Sequence, residues 1–177
     1  MKTLAILSSF FFLLFVTAPV ANAAQSLPVV RFFNADTIVV VSPEQCQPTL
    51  TDRADLEKVV FWEAPQSRPV YVYKSESDLT RKDKKRHLLF IGCLHQFQRR
   101  EFFGNIPVSK DADGFRVDNS YFTRPSDSFF YVNAKANRMY LCKNSPATRH
   151  AFFSIGGTPY PLHVFSNNRL VLTGYNQ

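Results

Sequence analysis

The chain has 177 residues, 45% of them hydrophobic and 15% aromatic, with 21 Lys and Arg against 14 Asp and Glu for a net charge of +7. That length suits one domain with a single core, and that apolar content excludes a disordered or low-complexity polypeptide. The positive balance selects anionic partners (nucleic acid, acidic glycan or a membrane surface) or serves solubility alone.

Lys2 precedes an apolar stretch from Leu4 to Val16 that is interrupted only by Ser8 and Ser9. Pro19 and then Ala21-Asn22-Ala23 follow, so the segment has the charged, apolar and small-residue parts of a secretory signal peptide. The apolar part is shorter than the roughly 20 residues needed to span a bilayer, which favours a removable leader over an anchor. Cleavage is expected after Ala23, with Ala24 as the alternative. Residues 1–23 are then a signal peptide, and 24–177 a single secreted β-rich domain with no transmembrane segment after cleavage. Its expected location is extracellular, or periplasmic if the source is bacterial. No Asn-x-Ser/Thr sequon is present.

Export places Cys46, Cys93 and Cys142 where disulfides persist, and three thiols allow one bridge. Cys93 and Cys142 both sit in β-like runs, so the Cys93–Cys142 pairing is expected. No Cys-x-x-Cys phrase occurs.

In chain order, Val29-Val30-Arg31-Phe32-Phe33 and Thr37-Ile38-Val39-Val40-Val41 read as a hairpin about Asn34-Ala35-Asp36. Residues 51–61 form the best helix candidate: Thr51 or Asp52 caps it, and Leu56, Val59 and Val60 share one face. Residues 69–73 are a strand by β-propensity, and 75–87 a charged loop or short exposed helix. Residues 88–94 are too short an apolar run for a lone helix and read as a central strand. Residues 101–108 and 114–117 flank a polar turn. Residues 129–132 with 138–142, and 162–165 with 169–172, are the clearest hairpins. The expected fold is mainly β, an antiparallel sandwich, curved sheet or barrel with one short helix, and α+β is the second choice.

The sharpest charge feature is Arg81-Lys82-Asp83-Lys84-Lys85-Arg86-His87. It suits contacts to phosphate or sulfate; the alternatives are a solvated loop that blunts a sheet edge and, if the secretory pathway is eukaryotic, a dibasic processing site at Lys85-Arg86. Arg99 and Arg100 alternate with Phe97, Phe102 and Phe103, a mixture found on nucleic-acid and glycan surfaces, although core packing accounts for the rings better. The candidate ligand-binding residues are therefore Arg81, Lys82, Lys84, Lys85, Arg86, Arg99 and Arg100. Asp111-Ala112-Asp113-Gly114 lacks the further ligands of a calcium loop and reads as a turn. The four histidines show no metal-ligand spacing, so neither a metal nor a cofactor is expected.

If the protein cuts RNA, His150, His163, Glu101 and Arg149 supply the residue types of an acid, a base and a cation for the phosphorane. Pro125-Ser126-Asp127-Ser128-Phe129-Phe130-Tyr131-Val132-Asn133 resembles the Pro-Gly-x-Asp-Arg-apolar phrase of the small secreted microbial guanyl-specific ribonucleases. Ser128 stands where that family has its catalytic arginine, and no histidine follows at the family's distance. The resemblance thus implies a relative that binds without cutting. The resulting expectation is a secreted, basic binding protein that acts through a basic, aromatic face without catalysis. Its role would be that of an effector, toxin subunit or surface-interaction protein in virulence, its partner an anionic ligand or a host or target protein. The alternative is a secreted hydrolase of ribonuclease type.

Overall fold

The computed structural model describes residues 28–58, 69–148 and 160–174. The leader, Arg149 and His150 lie outside them. The described elements run α1 (Pro28–Phe33), β1 (Thr37–Ser42), α2 (Leu50–Glu57), β2 (Val70–Ser75), β3 (His87–Cys93), β4 (Val108–Lys110), β5 (Phe115–Val117), β6 (Ser120–Phe122), β7 (Ser128–Asn133), β8 (Arg138–Lys143), β9 (Leu162–Ser166) and β10 (Arg169–Gly174). Short 3-10 turns occupy Asp83–Lys85, Leu94–Gln96 and Arg100–Phe102.

The fold is β-rich, as expected, and open: seven strands form one sheet in the order β10-β9-β7-β8-β3-β1-β2, and β4-β5-β6 form a second. β1 pairs in parallel with β2 and β3, and β3 in parallel with β8. β7, β9 and β10 run antiparallel to their neighbours. The central strands are covered on both sides, which is why β1, β3, β7 and β8 read as unbroken apolar runs. On one face Ile38, Val40, Leu89 and Ile91 pack against Phe32 and Phe33 of α1 and Leu56 of α2. On the other, Val39, Phe90, Tyr131 and Tyr140 pack against Phe97, Val108 and Phe115 from the connection and the small sheet. The result is three layers, with helices, large sheet and small sheet stacked in that order.

The hairpin expected from 29–33 and 37–41 is not formed. Val29, Phe32 and Phe33 are buried while Arg31 is exposed, a helical spacing that period-two alternation cannot satisfy, and Pro28 opens α1 at the position where its missing N–H costs nothing. α2 starts earlier than expected and is capped by Thr49. The Asp52 backbone N–H donates to Thr49 Oγ1 (3.1 Å), and the Thr49 N–H donates to Asp52 Oδ2 (2.9 Å). The segments expected to flank the polar turn do so as β4 and β5, but within 101–108 only Val108 is in a strand, after the turn Arg100–Phe102 and the irregular 103–107. Phe102 and Phe103 both turn inward onto Phe90, with ring centroids at 5.1 and 5.5 Å, and adjacent residues of a strand cannot share a face. The two C-terminal hairpins form as read. Asn167 and Asn168 both take positive φ (51° and 59°), the conformation of a tight two-residue hairpin turn.

The expected Cys93–Cys142 bridge is also overturned: the disulfide is Cys46–Cys93, and Cys142 is a buried free thiol. In the β3–β8 ladder Cys142 lies opposite Gly92 and Cys93 opposite Lys143, so the two cysteines project from opposite faces of the sheet. Cys142 enters the core beside Phe90 and Tyr140. The loop after β1 instead brings Cys46 to the end of β3. The approach is close enough that a Cβ on Gly92, where φ is +139°, would meet the Cys46 carbonyl at 2.8 Å.

Candidate functional site

The route of the chain around the large sheet assembles one face. From β1 it passes through α2 to β2, then returns past β1 to β3 through 76–86 on the opposite face, where Leu79 is buried in the core. The segment after β3, 94–106, folds back over that same face. The two segments therefore lie side by side, and their contacts fix them together. Glu76, 5% exposed, accepts the backbone N–H groups of Gln98 (2.8 Å) and Arg99 (2.7 Å). Lys84 pairs with Glu101 at 3.0 Å and lies over the Phe102 ring.

This junction sorts the sequence-predicted cations. Arg81, Lys82 and Lys85 are exposed, and Arg86 is half-buried beside them. Asp83 within the same run is not a surface charge. Its carboxylate accepts Lys74 Nζ (2.7 Å), the Thr80 N–H (3.0 Å) and the Thr80 hydroxyl (2.6 Å), and its own N–H donates to Thr80 Oγ1 (3.2 Å), a reciprocal pair that closes the turn leading into Asp83–Lys85. The Thr80-x-x-Asp83 spacing is a capping-box phrase and was open to reading in the sequence. The turn holds the basic run in shape, and the carbonyls of Lys84 and Arg86 accept the Arg138 guanidinium at 2.6 and 3.0 Å. Arg99 reaches the Ser77 carbonyl, while Arg100 is exposed.

Those donors, the Lys74 ammonium first and Thr80 next, hold the Asp83 carboxyl well below the ordinary carboxylate range. A carboxylate whose folded pKa is depressed adds stability above its unfolded pKa of about 3.9, and loses it as pH falls through that value toward the folded one. Thermal melts at about pH 4 and pH 2 should therefore show a steeper fall for the native chain than for Asp83→Asn. Parallel falls would remove Asp83 from the account of the turn.

Next to Arg100 opens a cleft of about 590 Å³ between 94–106 and β4. Leu94, Phe97, Phe103, Ile106 and Val108 line it, with Arg100, Ser109, Lys110 and Asp111 around them. Phe97 is buried, and its ring lies 5.9 Å from Phe90 and 5.0 Å from Phe103, so the interleaved rings are core and cleft wall at once. Lys110 Nζ donates to the carbonyl of His95 and lies 3.5 Å from that of Phe97, clamping β4 to the opposite wall. Leu94, Ile106 and Lys110 carry no signal of this role in the sequence, because the cleft depends on the turns at Leu94–Gln96 and Arg100–Phe102. A second, polar cleft of about 140 Å³ lies near the ends of β1 and β2, beside the disulfide, and Glu76, Gln96 and Arg99 line it.

Of the residues grouped for acid–base chemistry, His163 and Glu101 are among the described residues, and each is engaged within the protein. His163 is 1% exposed in β9, stacked against Phe130 at 5.8 Å and edge-on to Phe165; burial pushes its pKa down and keeps the ring from solvent. Glu101 is exposed and paired with Lys84. Arg149 and His150 lie outside the described residues. Asp111-Ala112-Asp113-Gly114 forms a turn, closed by the Asp111 N–H on the Gly114 carbonyl at 3.0 Å. Pro125 and Ser126 precede β7 as the ribonuclease-like phrase suggests, but Ser128 is buried in the strand. Among the described residues no helix is long and apolar enough to cross a membrane. No family model, curated protein or solved structure matches this chain.

Proposed function

We propose that this chain is an exported, basic binding protein that acts without catalysis, holding an anionic partner on the face built from 76–86 and 94–106. The observation that carries the reading is the fixed juxtaposition of those two segments through Glu76 and the Lys84–Glu101 pair. The first segment carries the exposed Arg81, Lys82 and Lys85, and the second carries Arg99 and Arg100 and lines the apolar cleft. Cations held on a braced turn lose less side-chain and loop entropy on binding than cations on a free loop, so their attraction is retained as affinity. The Cys46–Cys93 bridge agrees with an oxidising destination, and export accounts for the leader-like residues 1–23.

Calorimetric titration of the purified protein with a sulfated heparin oligosaccharide, a single-stranded RNA and anionic phospholipid vesicles tests this. At least one polyanion should bind, with affinity falling as salt rises. Reversal of three charges together (Arg81→Glu, Lys82→Glu, Lys85→Glu) should weaken it about tenfold or more. Absence of binding to all three, or equal binding by the variant, would remove the reading.

A further inference from the structure

We propose that the cleft between 94–106 and β4 is a binding site for a single-chain aliphatic monocarboxylate, its tail along the apolar floor and its head at Arg100. The proposal rests on the reading of this face as a binding face and adds the class of a second ligand. The volume, about 590 Å³, falls in the range of small-molecule sites. Its floor is Leu94, Phe97, Phe103, Ile106 and Val108, five side chains with no polar atom. Those five side chains offer no hydrogen bond, so along them a methylene chain gains with each carbon taken out of water. Gly104 also lines the cleft, and an added Cβ there would touch nothing within 4 Å, so the cleft has open space beside it.

The rim fixes the charge of the head. Arg100 is exposed, and among the described residues its guanidinium has no ion-pair partner. Its planar donor fork matches a carboxylate with two parallel hydrogen bonds. Lys110 is spent on the His95 and Phe97 carbonyls, where it holds the walls at a fixed separation, so the site is formed before a ligand arrives. Asp111 on the same rim repels a second negative charge, which favours a monoanion over a phosphate or a dicarboxylate.

The test is calorimetric titration of the purified protein with octanoate, decanoate and dodecanoate below their micellar concentrations, beside 1-decanol. Affinity should rise about fourfold for each added methylene until the floor is covered. Decanoate should bind about tenfold more tightly than 1-decanol. Arg100→Gln should bring decanoate to within about twofold of 1-decanol, and Ile106→Ala should weaken both ligands while the thermal melt of each variant monitors folding. An affinity flat across the chain-length series, an Arg100→Gln variant that still prefers the carboxylate, or tighter binding of acetyl-Ala-Leu-Phe than of decanoate would overturn the proposal. Separate titration with the heparin oligosaccharide distinguishes the two claims. Loss of polyanion binding with an intact chain-length series sinks the basic-face reading alone, and the converse sinks this one alone.

Discussion

Replacing Cys46 and Cys93 together by Ala is expected to lower stability by about 4 kcal/mol and the melting temperature by roughly 8–16 °C. The bridge closes a loop of 47 residues, and the chain-entropy cost removed from the unfolded state grows with the logarithm of that length. The loop contains all of α2, β2 and β3, so loss of the bridge frees the β2 edge of the large sheet and the α2 helix that covers it. The native contacts at the bridge add to this. The turn from Pro43 to Cys46 lies against Gly92, and the Cys93 N–H donates to Cys46 Sγ at 3.1 Å. Thiol titration supplies the second reading. The folded chain should expose no reactive thiol, and denaturation without reductant should release one, Cys142, whose pKa burial raises in the native state. A double variant that melts within about 2 °C of the parent, or a denatured chain with three reactive thiols, would contradict the bridge as a constraint.

The pairing of that bridge marks where sequence reading stops. The hairpins β7–β8 and β9–β10 are legible because their turns carry Asn at positions that need positive φ, and their strands adjoin in the chain. β3 is legible as a central strand from its apolar run. What such a run cannot show is which neighbours it takes or in which direction. A strand covered on both faces loses the alternation that would assign its residues to a face, and the parallel pairing of β1 with β3 joins segments far apart in sequence. Without the faces, Cys93 and Cys142 look equally placed for a bridge. The basic run was legible as charge but not as structure: Asp83 and Lys84 are engaged within the protein, and only the capping-box phrase hinted at the first of them. The cleft was hidden for a further reason. It forms because Phe102 and Phe103 turn inward together, which is a property of the packed core and not of any local pattern.

Phe90→Ala is expected to cost about 3–5 kcal/mol, read as a shift of the urea midpoint at unchanged slope. Phe90 is 0% exposed and stands at the centre of an aromatic group: stacked on Tyr140 at 5.1 Å with planes 11° apart, and within 5.1–5.9 Å of Phe102, Phe103 and Phe97. Truncation removes contacts to four rings at once, and the neighbours cannot all close on the void. Tyr140 is held by its hydroxyl, which donates to the Phe102 carbonyl at 2.6 Å, and its ring is fixed in β8. Two of the other rings that border the void, Phe97 and Phe103, are walls of the cleft. Stability and ligand capacity should therefore fall together in Phe90→Ala, whereas Phe90→Leu, which keeps most of the apolar volume, should retain the larger part of both. Phe165, also buried but on the helical side of the sheet, separates the two effects. Phe165→Ala should destabilise by a similar amount and leave decanoate binding under strongly native conditions within about twofold of the parent, since the void it makes lies across the sheet from the cleft. Equal losses of binding in Phe90→Ala and Phe165→Ala would mean that the cleft answers to global stability alone and not to the ring packing beneath it.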